Sequence, residues 1–115
     1  MKSQLMIRGI IMNGKNLDSV SAIKQWSVER GLDKSNPDKQ LIKLQEELGE
    51  LAEGHNKGYM DQVKDSIGDM FVVMTIYCQQ RGISIDECID SAYQTIANRK
   101  GEMVDGVFVK EADKQ

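Results

Sequence analysis

The chain has 115 residues, a single proline, 5% aromatic residues and a formal net charge of −3. That length holds one domain with one core, expected over about residues 18–101 with a tail at 102–115. An acidic surface repels phosphate backbones, which argues against general nucleic-acid binding, and no apolar run is long enough to span a bilayer.

The chain opens with Leu5, Met6, Ile7, Ile10, Ile11 and Met12, interrupted by Arg8 and Gly9. No small-residue cleavage site follows, so neither a membrane anchor nor a secretory signal is expected. Cys78 and Cys88 form no CxxC pair. Two such thiols in a helical chain suggest a reducing, cytoplasmic compartment and no thiolate zinc site.

Four helices follow. The first runs from about Asp18 to Arg30, capped by Asp18 or Ser19 and ended by Gly31. The segment Lys34–Pro37 breaks the chain, with Asn36 a cap and Pro37 suited to a first helical turn. The second helix runs from about Asp38 to Asn56. Leu41, Leu44, Leu48, Leu51 and Ala52 give it one apolar stripe, and Gly58 closes it. The third spans Met60 to Gln80 and stops at Gly82. From Met70 to Cys78 it reads MFVVMTIYC, apolar on every side, so a partner subunit is expected to cover what one protomer leaves bare. Ser84-Ile85-Asp86-Glu87 is a capping box opening a fourth helix to about Lys100. In the tail, Asp105-Gly106 between alternating apolar residues predicts a short hairpin or an extended arm. The fold class is therefore all-α: a four-helix bundle with a short extended tail, completed by a homodimer or a dimer of dimers.

Carboxylates carry the chemistry. Glu46, Glu47, Glu50 and Glu53 crowd the second helix, and at ~100° per residue Glu47 and Glu50 lie on adjoining faces one turn apart. Asp69 opens the all-apolar section of the third helix, where a carboxylate loses water and wants a cation. If the two helices pack antiparallel, Glu47 and Glu50 face Asp69, an oxygen set suited to Mg²⁺ or Mn²⁺. For Glu46 and Glu53 a solvated helix face explains the charge equally well.

The stretch Glu46-Glu47-Leu48-Gly49-Glu50, followed by Ile67-Gly68-Asp69, resembles the MazG-like nucleotide pyrophosphohydrolases, whose pattern is EExxE, a spacer, then ExxD. The resemblance covers about residues 20–109. Ser66 departs from it, standing where the pattern has a glutamate, and Asp65 is the nearest carboxylate that could replace it. The resemblance implies a MazG-like bundle that hydrolyses nucleoside or deoxynucleoside triphosphates between the α and β phosphates. It implies Mg²⁺ on Glu47, Glu50 and Asp69, with Asp65 the candidate for the ligand that Ser66 lacks and Glu46 or Glu47 activating water. Asn98 and Lys100, helped by Arg99, would grip phosphate, although a basic helix end is the simpler account of these three taken alone.

Trp26 could stack on a base, but a lone tryptophan in a helical chain is more often core. Tyr77 and Tyr93 are expected to pack in the core, and His55 to close a helix. Two other functions stay open: a non-catalytic helical interaction module with a degenerate site, or an enzyme of the same fold dedicated to dUTP or phosphoribosyl-ATP.

Overall fold

A computed structural model of the chain describes residues 10–12 and 15–113. The fold is all-α, with four α-helices and two short hairpins among the described residues. It divides into two compact units after Ile85.

In the first unit, β1 (Ile10–Met12) pairs antiparallel with β2 (Lys15–Leu17). This hairpin is absent from the sequence expectation, which treated the region as an interrupted apolar run. Helix α1 spans Ser19–Glu29. The Asp18 carboxylate accepts from the Ser21 amide at 2.7 Å, satisfying one of the donors that a helix start leaves open. That bond holds the Asp18 carboxyl below its ordinary value. Gly31, at φ 73°, takes the left-handed conformation that ends the helix.

Helix α2 spans Pro37–Lys57, with Asn36 accepting from the Asp38 amide at 2.8 Å. It stops at Gly58, φ 73°, where the Tyr59 amide donates back to the Gly54 carbonyl at 2.8 Å. This tight closure turns the chain directly into α3, Met60–Gln80, which lies against α2.

The inward line of α2 only partly follows the leucine stripe. It follows Leu44, Glu47, Leu51 and Gly54, while Leu41 and Leu48 are about half exposed. Both lines have helical spacing, so periodicity alone cannot rank them. Gly54 decides the matter by allowing close approach. A Cβ there would lie 3.1 Å from the Gln62 Cβ and 3.2 Å from the Val63 amide nitrogen.

On α3, Val73, Thr75, Ile76 and Cys78 are buried within the protomer. The Gln79 amide donates to the Lys24 carbonyl and the Gln80 amide to the Leu32 carbonyl, fixing α3 to α1 and to the turn after it. The apolar residues that α3 leaves most exposed are Met60, Ile67 and Met74, at seven-residue steps. The expectation of an apolar surface on every side thus narrows to a single seam. The reason is that α1 and α2 cover more of this helix than its hydropathy suggests.

In the second unit, α4 spans Ile85–Ala97 and begins where the capping box places it. It ends three residues before the expected Lys100. Ile89, Tyr93 and Ile96 are each about half exposed on it, so Tyr93 is not the core residue its spacing suggests. Strands β3 (Gly101–Val104) and β4 (Val107–Lys110) form an antiparallel hairpin. Asp105 and Gly106 sit at φ 50° and 80°, the two left-handed positions of the tight turn that an Asp-Gly pair favours.

Candidate active site

The antiparallel α2–α3 pair brings the expected carboxylates together. Glu47 is 8% exposed, and its Oε1 is buried with no hydrogen-bond partner. Burial pushes its carboxyl above the ordinary value. The charges of Glu50 and Asp69 push the same way, Lys43 opposes them, and Glu46 adds a smaller push. Glu46, Glu50 and Asp69 are themselves exposed. Leaving a buried carboxylate oxygen without a donor is costly, and like charges raise that cost. An oxygen set of this kind fits a hard divalent cation. As the side chains stand, no three His, Cys, Asp or Glu side chains among the described residues close into a ready ligand shell.

Position 66 lies on the side of α3 that faces inward. Ser66 is 2% exposed, whereas Asp65 is exposed on the wall of an open groove that Asp69 also lines. Asp65 is not among the charges that act on Glu47.

The groove holding Asp65 and Asp69 runs between α1 and α3 and has a volume of about 790 Å³. Ser19, Ile23 and Val72 line it and also line an apolar cleft of about 320 Å³ walled by Ala22 and Trp26. Trp26 is 43% exposed, which corrects its expected place in the core. The Arg30 guanidinium lies 4.3 Å from the centre of its ring and donates to its carbonyl at 3.1 Å. One ring face is thereby occupied by a cation, an attractive contact for an indole.

Asn98, Arg99 and Lys100 belong to the second unit. All three are exposed in the turn between α4 and β3, beyond the helix end where the sequence placed them. The Lys100 carbonyl is fixed by the Glu111 amide at 2.7 Å. His55 is exposed in the last turn of α2, a helix-end residue as expected. Tyr77 is partly buried and its hydroxyl accepts from Arg81 at 3.0 Å.

Two contributors escaped the sequence reading. Lys43, one turn before Glu47, could have been found from its four-residue spacing. Gln62 carried no such signal, because its partners lie on another helix.

Residues 36–104 match the MazG nucleotide pyrophosphohydrolase domain. The chain belongs to this family. The matched segment holds all the carboxylates above together with the Asn98–Lys100 turn, and leaves α1 with Trp26 outside. The MazG chain is also 51% identical over 65 residues to an uncharacterized 18.2 kDa protein in the rep-hol intergenic region of Haemophilus phage HP1 (strain HP1c1). That match covers 56% of this chain and 40% of the phage protein, so the chain spans well under two thirds of this relative's length. No solved structure matches. Among the described residues no helix is long and apolar enough to cross a membrane.

Proposed function

We propose that this MazG domain hydrolyses a nucleoside or deoxynucleoside triphosphate between the α and β phosphates, releasing a monophosphate and pyrophosphate. The observation that carries the proposal is Glu47, a buried carboxylate with an unpartnered oxygen, set among the charges of Glu50 and Asp69. Glu47, Glu50 and Asp69 are the residues that would hold Mg²⁺, or Mn²⁺ in its place, with Asp65 the candidate for a further oxygen from the groove side. When bound, such an ion neutralises the triphosphate and stabilises the charge of an in-line displacement.

The chain's own groups supply the rest. Glu46 or Glu47 orients the attacking water and takes its proton. The resemblance to the family is what supports Asn98 and Lys100, assisted by Arg99, as phosphate-contacting residues. Trp26 offers an aromatic wall for the base, in a cleft continuous with the groove that Asp69 lines. Cys78 is buried and Cys88 exposed, and we place the enzyme in the cytoplasm, where such thiols stay reduced. A homodimer, or a dimer of dimers, covers the seam of Met60, Ile67 and Met74.

A panel of NTPs and dNTPs with Mg²⁺ tests the reaction. The expected products are pyrophosphate and a monophosphate from at least one substrate. Strong preference for a single nucleotide would mark a dedicated enzyme, such as one for dUTP or phosphoribosyl-ATP. The second reading, a non-catalytic interaction module, is favoured by one observation: the buried Ser66 in place of a carboxylate. Silence across the whole panel, with either Mg²⁺ or Mn²⁺, would decide for it.

A further inference from the structure

We infer that Gln62 is a positioning residue for the carboxylate site, pinning the segment of α2 that carries Glu50 onto α3. Its Nε2 donates to the Glu50 carbonyl at 2.8 Å and to the Glu53 carboxylate at 2.9 Å. A carbonyl oxygen has two lone pairs, so this bond can add to the one a helix carbonyl already accepts. Glu53 is braced from its other side by the Lys57 ammonium at 3.3 Å. Together Gln62 and Lys57 keep the Glu53 carboxyl charged, and so a strong acceptor for the amide.

Gly54 makes the contact reachable. A Cβ at Gly54 would crowd the Gln62 Cβ and Cγ at 3.1 Å, so glycine eases the close approach of the two helices there. Register follows from this latch. Gln62, Ser66 and Asp69 succeed one another at four- and three-residue steps on α3, opposite Gly54, Glu50 and Glu47 on an antiparallel α2. Fixing the Glu50 backbone to Gln62 therefore fixes where Glu50 and Glu47 stand relative to Asp69. Residues behind metal ligands commonly set affinity in this way.

The inference rests on the metal-binding role proposed above, and Mn²⁺ binding separates the two. Free Mn²⁺ is titrated with the full chain and measured by electron paramagnetic resonance, with circular dichroism to establish that each variant is folded. The Gln62→Met variant keeps the length and loses the donor. The Gln62→Lys variant keeps a donor of similar reach. Gln62→Met should weaken Mn²⁺ binding about tenfold, and Gln62→Lys should regain most of that loss. Unchanged affinity in Gln62→Met overturns the latch while leaving the metal site standing, and so does an equal loss in both variants. Failure of the wild-type chain to bind Mn²⁺ overturns the metal site itself and the latch with it.

Discussion

Among single residues, the proposed chemistry rests most on Glu47. Its carboxyl is raised by burial first and then by Glu50 and Asp69, so the folded chain holds a proton there more tightly than the unfolded chain does. Stability from this group is fully present below the ordinary glutamate value of 4.5 and is lost as pH rises through the raised folded value. In the presence of a chelator, the Glu47→Gln variant should therefore keep stability that the wild type loses across that window. Thermal melts in a pH series check this, and parallel curves for the two proteins would contradict it. The same substitution should abolish turnover. Position 66 allows a second comparison. If Asp65 supplies the oxygen that Ser66 cannot, Asp65→Asn should lower activity far more than Ser66→Ala. Equal and mild effects on the rate would mean that neither side chain reaches the metal.

At the scale of elements, chain punctuation was easy to read. Asp18, Asn36, Pro37, Gly31, Gly58 and Gly82 stop and start helices for local reasons, so the helix limits could be placed to within a few residues. Replacing the Asn36 cap by alanine should cost about 1 kcal/mol, and a melting temperature lowered by roughly 4–8 °C would register it. No change in melting temperature would show that the cap bond at Asn36 contributes nothing net. The rotation of α2 was harder to read. Leu41 and Leu48 have the spacing of a buried stripe, yet Glu47 and Gly54 take inner positions, where the absence of a side chain at Gly54 eases the approach of α3. The first hairpin was missed because its strands are three residues each, although Asn13-Gly14 between them is a turn signal. Asn98–Lys100 was assigned to a helix, but the helix closes at Ala97 and leaves the segment in a turn.

The carboxylate trio was legible as chemistry, since charge beside an apolar run needs a partner. Its geometry was not, because the α2–α3 register depends on contacts such as that of Gln62, which no spacing along one helix displays. At the scale of the whole molecule the same limit applies to assembly. An apolar α3 correctly signals a helix that must be covered, but Val73 and Ile76 are each 3% exposed and covered from within. Val73→Glu should therefore unfold the protomer, since a buried unpaired charge is among the few severely destabilising changes. Ile67→Glu, on the bare seam, should leave the helices intact and dissociate the proposed dimer. Light scattering at low micromolar concentration distinguishes these outcomes. An active wild-type chain at its monomer mass of 12.9 kDa would contradict the dimer.

The proposed reaction is cleavage of the α–β anhydride through the carboxylates on α2 and α3 of this MazG domain. Its most direct test follows the phosphorus resonances of the preferred triphosphate with Mg²⁺, for the wild type and for Asp69→Ala. Paired growth of monophosphate and pyrophosphate signals is expected with the wild type and no change with the variant. Release of orthophosphate with a diphosphate, or near-normal turnover by Asp69→Ala, would contradict it.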